Sequence, residues 1–189
     1  MNIHIITITG DIASGKGTVT SLLQKELGYE VYKNGAYVRK LAKEMNMSIV
    51  EFQEHLNAHE EIDRRIENSA KKYAEENDNL IVDARLGFYA VPHSFKIYLK
   101  VDLDESARRA YNDSVRADTE KYNSLEAAKK DIKYRFEQEN IRYLKTYDVK
   151  RSDMSNYDLV IDTTNITAEE VAKEILEKYK EWLKIKGDE

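Results

Sequence analysis

The sequence predicts an α/β fold in which helices cover both faces of a five-stranded parallel sheet. Short apolar runs of strand length alternate along the chain with longer stretches whose apolar residues have helical spacing. The first apolar run ends in a glycine-rich loop, and a helical stretch follows that loop directly. The 189 residues contain no linker-like stretch, so we expect one domain.

The apolar runs are rich in β-branched residues and end at turn or polar residues, which is typical of buried strands. They lie at residues 3–9, 29–32, 80–83, 94–101 and 159–162. The intervening stretches predict helices because their apolar residues recur on one face. They begin near Val19, Gly35, Ser48, Ile62, Asp104, Ser124 and Thr167. Ser48 with Glu51 and Thr167 with Glu170 are predicted capping boxes, Asp104 is a predicted cap, and the helix from Ser124 is expected to reach Leu144.

Composition excludes several classes of function. Charged residues make up 34% of the chain and the formal net charge is −5, which argues against general binding to nucleic acids or membrane surfaces. The absence of cysteine excludes disulfides, thiol catalysis and Cys-based zinc sites. Because a core strand begins at residue 3 and no apolar run has the length of a membrane span, we expect a cytoplasmic protein. A monomer and a homodimer both remain open.

The loop after the first strand has the pattern of a phosphate-binding loop. Its residues are Gly10, Asp11, Ile12, Ala13, Ser14, Gly15, Lys16, Gly17 and Thr18. Glycines let main-chain N–H groups surround an anion, and the helix that follows adds the positive end of its dipole. Lys16 is expected to reach the β- and γ-phosphates of ATP, and Thr18 to bind Mg²⁺. The alternative is a glycine-rich turn with an exposed lysine.

Isolated arginines follow the predicted strands or lie on the long charged helix, as transfer of a phosphoryl group requires. The candidates are Arg39, Arg85, Arg109, Arg116, Arg135 and Arg142. Arg85 comes two residues after a buried strand, where a solvated charge is unfavourable. Arg135 and Arg142 are seven residues apart and therefore share one helix face, although a salt-bridged surface helix is the usual interpretation of such a stretch. Asp83 ends a predicted strand and is a candidate ligand of Mg²⁺ or of the acceptor, or else a turn cap.

Four stretches resemble the P-loop nucleoside monophosphate kinases, most closely the short, archaeal-like cytidylate kinases. Residues 32–39 resemble the family's Gly-x-x-x-Arg stretch, residues 61–65 its Glu-Ile-Asp-Arg segment, residues 80–86 its apolar strand followed by acid-Gly-Arg-Leu, and residues 157–164 its last strand. Ala84 stands where the family has glycine.

The resemblance implies an ATP- and Mg²⁺-dependent kinase of CMP or dCMP. It implies that Arg39, Asp63, Asp83 and Arg85 bind the acceptor and that Arg109 lies near the donor base. It also implies a core at about 1–33, 78–111 and 146–189, an acceptor-binding segment at about 34–77 and a lid at about 112–145. Lys16 and the lid arginines Arg116, Arg135 and Arg142 would then stabilise the transferring group.

Two other functions remain open. A kinase for another small acceptor would share the loop and the sheet, with Asp83 available as a general base toward a hydroxyl. An ATP-binding regulator without transferase activity would be expected to have lost Lys16 or the acceptor-side arginines, and neither is lost here.

Overall fold

The computed structural model describes residues 4–113 and 122–187, and these residues form the predicted α/β fold. The elements, in chain order, are β1 (Ile5–Gly10), α1 (Lys16–Leu27), β2 (Glu30–Lys33), α2 (Asn34–Glu44), α3 (Ile49–Ala58), α4 (Glu60–Glu76), β3 (Leu80–Asp83), α5 (Gly87–Ala90), β4 (Phe95–Lys100), α6 (Leu103–Asn112), α7 (Leu125–Tyr147), β5 (Leu159–Asp162) and α8 (Ala168–Lys186). A short 3₁₀ turn at Met154–Asn156 precedes β5.

The five strands form one parallel sheet in the order β2-β3-β1-β4-β5. In the central strand, Ile6 is paired with Ile81 on one side and with Phe95 on the other. The chain moves from β1 to β2, returns through β3, and then crosses β1 to reach β4. Ligands of open α/β sheets bind at the carboxyl ends of the strands where the winding reverses, and here that position is the end of β1.

Apolar side chains of the sheet are buried on both faces. One face packs against α1 and α8, with Ile6, Ile97 and Ile175 in the same cluster, and the other packs against α4 through Ile5 and Ala70. All six residues of β1 are buried. Burial on both faces explains why the strands are continuous apolar runs rather than alternating ones.

Two helical layers enclose the space above the carboxyl ends of the strands. Helices α2, α3 and α4 share an apolar cluster that contains Leu41, Phe52 and Ile66. Helix α7 packs against α6 through Ile132 and Ala107. Within residues 4–113 and 122–187, no helix has both the length and the apolar content that crossing a membrane requires.

The ends of two helices differ from the sequence prediction. Asp102, not Asp104, caps α6, because its carboxylate accepts hydrogen bonds from the N–H groups of Asp104 and Glu105. Helix α7 continues three residues beyond Leu144 to Tyr147, and the residue that caps its end, Asp148, adopts a left-handed conformation. Both predicted capping boxes are confirmed.

Candidate functional site

The loop between β1 and α1 leaves the sheet at a position that only glycine fits. A Cβ on Gly10 would lie 2.5 Å from the carbonyl oxygen of Leu99. Gly15 adopts a left-handed conformation with φ of 84° and precedes the first turn of α1, which has no side-chain cap among the described residues. Gly15 has no side chain that could accept a hydrogen bond from the N–H groups of that turn, as suits an anion-binding helix terminus.

Two loop residues direct their side chains away from the anion-binding face. The carboxylate of Asp11 accepts hydrogen bonds from the Tyr98 hydroxyl and the Val101 N–H, which tie the loop to β4. The side chain of Ile12 is buried against α6 and α7. The expected contact of these two residues with a nucleotide is thus restricted to their main chain, while their side chains fix the position of the loop.

The carbonyl oxygen of Gly10 lies near three cationic side chains. It accepts from Nζ of Lys16 at 3.2 Å, from Nη1 of Arg85 at 2.6 Å and from Nη1 of Arg151 at 3.2 Å, and Lys16 Nζ also donates to the Asp11 carbonyl at 3.1 Å. A carbonyl oxygen has two lone pairs, so three donors compete for it. These neutral acceptors bind a cation more weakly than a phosphate does, which leaves Lys16 and Arg85 able to shift to an anion.

A cavity of about 720 Å³ opens beside the loop and is bounded by α2, α3, α4 and α7. This volume suits small-molecule ligands. Its basic lining residues are Lys16, Lys33, Arg39, Arg85, Arg109, Arg135 and Arg142, and its acidic ones are Asp63, Glu67, Asp83, Asp113 and Glu139. An excess of basic groups in a protein with a net charge of −5 indicates a site for an anionic ligand.

The structure brings most of the predicted site residues to this cavity. The lining contains residues 13–18 of the loop, five of the six candidate arginines, Asp63 and Asp83. The sixth candidate, Arg116, lies outside the described residues. Gly10, Asp11 and Ile12 are not part of the lining, and their predicted contact with a cofactor stays a prediction.

Glu139 is a buried counter-charge for the arginines. Its Oε2 lies 3.5 Å from Nε of Arg85 and 3.4 Å from Nη2 of Arg151, and its side chain is 5% exposed. Burial raises the pKa of Glu139, but Arg85, Arg151, Arg135 and Arg142 lower it more, to about 2. Glu139 therefore stays ionised and fixes the arginines around it.

Arg142 connects α7 to the helices on the opposite side of the cavity. Its Nε lies 3.2 Å from Oδ1 of Asp63 in α4, and its Nη2 donates to Oε1 of Gln53 in α3 at 3.1 Å. Burial raises the pKa of Asp63, and the Arg142 charge partly offsets that rise. The Asp63 carboxylate is therefore paired with Arg142. Its expected role in acceptor binding thus includes positioning this guanidinium.

The charged helix α7 is not a solvated surface helix on this face. Arg135 is 8% exposed and Arg142 is 6% exposed. The shared face that their spacing predicts points into the cavity, together with Glu139. The surface interpretation, which the abundance of Lys and Glu favoured, is wrong for these residues because both are buried. Arg142 is paired with Asp63 in α4 and Gln53 in α3, and Arg135 is paired with Asp131 on its own helix.

Arg109 bridges the loop and the segment after β5. Its Nη2 donates to the carbonyl oxygens of Thr163 at 2.7 Å and Thr164 at 3.2 Å, and its Nη1 donates to that of Ala13 at 3.4 Å. Its Nε pairs with Glu105 at 2.7 Å. The guanidinium is thus held at the edge of the cavity beside the loop, where the expected donor base would lie.

The residues expected to hold Mg²⁺ both line the cavity. The hydroxyl of Thr18 is exposed in the first turn of α1, and the carboxylate of Asp83 ends β3, directly beside β1. Among residues 4–113 and 122–187, no group of three His, Asp or Glu side chains could hold a metal by itself. Oxygen donors in this small number fit Mg²⁺, which takes most of its ligands from phosphates and water when it binds with a nucleotide.

Several residues of the site gave no clear signal in the sequence. Arg151 is 1% exposed, and its guanidinium lies 4.8 Å from the centre of the Phe136 ring. Glu67 and Asn34 line the cavity and are 5% and 4% exposed. The four-residue spacings of Asp63 to Glu67 and of Arg135 to Glu139 place each pair on one helix face, but they do not indicate burial.

A family model and the sequences of known relatives both relate this chain to the cytidylate kinases. The model of the family described as cytidylate kinase-like matches residues 5–165. A cytidylate kinase of Methanobrevibacter smithii is 33% identical over 172 residues, which are 91% of this chain and 96% of that enzyme. An S-adenosylmethionine-dependent nucleotide dehydratase of Lacinutrix mariniflava is 37% identical over 175 residues, which are 92% of this chain but only 35% of that protein.

The solved structures agree on the fold. Shikimate kinase from Acinetobacter baumannii, in complex with shikimate, matches with a TM-score of 0.58 over 93% of this chain and 92% of that chain, at 17% identity. At this identity the likeness supports the architecture alone, which is that of the P-loop kinases.

Proposed function

The chain belongs to the cytidylate kinase-like family, and from that premise we propose that it transfers the γ-phosphoryl group of ATP to CMP or dCMP. The relatives support a phosphotransferase that acts on nucleoside monophosphates. The choice of a cytosine nucleotide as the acceptor is the finer part of the proposal.

One observation carries this proposal. The anion-binding loop and the basic residues of α2, of α7 and of the segment after β3 face a single cavity large enough for more than one phosphate group. Binding of a triphosphate at the loop and of a monophosphate among the arginines would place the two reacting groups next to each other. Such positioning, with positive charge around the transferring group, accounts for most of the catalysis in phosphoryl transfer.

The reaction needs no general base. An oxygen of the acceptor monophosphate attacks the γ-phosphorus in line and forms a new P–O bond, while the bond between the γ-phosphorus and the β,γ-bridging oxygen breaks. The electron pair leaves with ADP. Because the acceptor phosphate is already anionic, no proton has to be removed from the attacking oxygen.

We assign the roles of the side chains from their positions. Lys16 binds the β- and γ-phosphates, and Arg39 and Arg85 bind the acceptor phosphate. Arg135 and Arg142 neutralise the charge that spreads over the equatorial oxygens in the transition state. Segment 34–77 would bind the acceptor and segment 112–145 would form the lid, which excludes water that would otherwise hydrolyse ATP.

Thr18 and Asp83 would hold Mg²⁺, directly or through water, and the ion when bound supplies charge neutralisation to the β- and γ-phosphates. The Thr18 hydroxyl is one residue further from Lys16 than in the usual motif. Asp83 would reach the same region from β3, which is paired with β1.

The acceptor preference draws support from the names of the relatives. The curated enzymes that match most of the chain in both directions are named cytidylate kinases. The chain spans about a third of the dehydratase, whose name also specifies a nucleotide. A nucleotide is thus the ligand that both names share.

A panel of acceptors tests this proposal. Purified protein with ATP and Mg²⁺ is incubated with CMP, dCMP, UMP, AMP, GMP and shikimate, and the formation of ADP and of phosphorylated acceptor is measured. We expect CDP and dCDP as the main products. Phosphorylation of the hydroxyl acceptor instead would favour the alternative in which Asp83 acts as a general base, and ATP binding without any transfer would favour a regulator.

Lys16→Ala tests the role of the loop in the same assay. We expect turnover to fall by at least about 100-fold, since one preorganised charge on the transferring group contributes a few kcal/mol. Lys25→Ala is the matched control, because this exposed lysine lies in the last turn of the same helix. Equal turnover of the two variants would remove the loop from the mechanism.

A further inference from the structure

Glu67 is a buried carboxyl group that the proposed phosphoryl transfer does not use. It lies one helical turn after Asp63 in α4, lines the cavity and is 5% exposed. Its Oε2 is fully buried and has no hydrogen-bond partner among the described residues. A buried polar atom in a native protein usually has a partner, so an unpaired one at a cavity wall points to a ligand.

The surroundings of Glu67 favour its neutral form. Burial is the largest of the effects that raise the pKa of Glu67, and the nearby carboxylates of Asp63 and Glu139 raise it further. The Arg142 charge lowers this pKa, and the resulting value is about 8. Tyr32 of β2 and Tyr143 and Tyr147 of α7 also interact with it electrostatically. In its neutral form, the carboxyl group presents one O–H donor and one carbonyl acceptor side by side.

Asn34 gives a second, independent indication of a polar ligand. This first residue of α2 is 4% exposed, lines the same cavity, and has an Oδ1 atom that is buried without a hydrogen-bond partner in the described part of the chain. The two unpartnered atoms, Oε2 of Glu67 and Oδ1 of Asn34, do not suit a phosphate when they act as acceptors, since a phosphate presents acceptor oxygens of its own. A neutral ligand with its own donors and acceptors would satisfy both, as the edge of a nucleobase does.

We propose, on the basis of the function proposed above, that Glu67 determines specificity by reading the base of the acceptor nucleotide, with Asn34 as a second contact. The carboxyl O–H donates to N3 of cytosine, and the carbonyl oxygen accepts from the 4-amino group. Uracil presents the opposite order, which the carboxyl group meets by exchanging the roles of its oxygens, so Glu67 selects for a base with a hydrogen-bonding group at C4 and not for cytosine over uracil. An ionised carboxylate would instead repel the N3 lone pair.

The test compares CMP with the CMP analogue that lacks the 4-amino group, as acceptors for the wild type, Glu67→Gln and Glu67→Leu. Glutamine keeps a neutral donor and acceptor, whereas leucine keeps the volume and removes both. We expect Glu67→Leu to lower kcat/KM for CMP by about 10- to 100-fold, as the loss of a paired polar contact does, with KM for ATP unchanged. The wild-type preference for CMP over the analogue should fall toward one in this variant and persist in Glu67→Gln.

A purely structural role for Glu67 would lower kcat/KM for both acceptors equally. The ratio of the two kcat/KM values therefore separates that role from base recognition. Glu75→Gln is the matched control, since this residue is exposed on the same helix. A wild-type ratio in Glu67→Leu would overturn the inference while the kinase function stands. If Glu67→Leu does not fold, loss of the preference in Glu67→Gln overturns the inference and its retention supports it. A wild type that phosphorylates no nucleotide would overturn the proposed function, and this inference with it.

Discussion

Replacement of Glu139 by glutamine removes one negative charge from a buried group of arginines and changes the shape of the side chain very little. In the wild type, this carboxylate lies 3.5 Å from Arg85 and 3.4 Å from Arg151. Arg85 and Arg151 also share the carbonyl oxygen of Gly10, so the substitution acts on the support of the phosphate-binding loop. We expect lower stability and a loop that is held less firmly.

The pKa of Glu139 gives the magnitude. A shift from 4.5 to about 2 corresponds to about 3 kcal/mol in favour of the ionised form in the folded state. Breaking a buried ion pair from one side costs a similar ~3–5 kcal/mol. For a domain of this size each kcal/mol lowers Tm by ~2–4 °C, so we expect a decrease of about 6–12 °C.

Thermal unfolding followed by circular dichroism at pH 7 and low salt measures this effect. Glu137→Gln is the matched control, because this residue is exposed on the same helix. Bound triphosphate supplies negative charge next to the arginines, so the difference between Glu139→Gln and the wild type should narrow when it is added. A decrease in Tm no larger than that of Glu137→Gln would refute the role of Glu139 as a buried counter-charge.

The remaining predictions concern pH. The pKa of Glu67 is raised to about 8 in the folded protein, so the folded state binds more protons than the unfolded state above pH 4.5, and Tm should fall as pH rises from 5 to 8. Glu67→Gln should weaken that dependence, and an unchanged slope in this variant would contradict the neutral state of Glu67. The pKa of Glu139 is lowered, so its contribution is present above pH 4.5 and is lost as pH falls toward 2. The Tm difference between the wild type and Glu139→Gln should therefore shrink in that range. A constant difference would contradict the lowered pKa of Glu139.

The phosphate-binding loop could be predicted from sequence because its determinants are local. A β-branched run specifies the strand, and Gly10 and Gly15 occupy positions that need close backbone approach or a left-handed conformation. Arg85 was identifiable for a similar reason, since it follows a buried strand by two residues. These signals need no knowledge of distant parts of the chain.

The other half of the site depends on contacts that are remote in sequence. The spacing of Arg135 and Arg142 indicates a shared face, but the burial of Arg142 follows from partners in other elements, such as Asp63. Nothing local distinguishes Arg151 from an exposed loop arginine. For Glu67, burial between helices both hides the residue and raises its pKa, and sequence spacing carries neither property.

Binding of a bisubstrate analogue tests the central claim most directly. The analogue joins adenosine and cytidine through five phosphates and spans both halves of the cavity only if they form one site. By titration calorimetry we expect one molecule per chain, bound more tightly than ATP or CMP alone, with affinity reduced by both Lys16→Ala and Arg85→Ala. Affinity no greater than that for ATP, or insensitivity to Arg85→Ala, would contradict a cavity in which a triphosphate and a second nucleotide lie side by side.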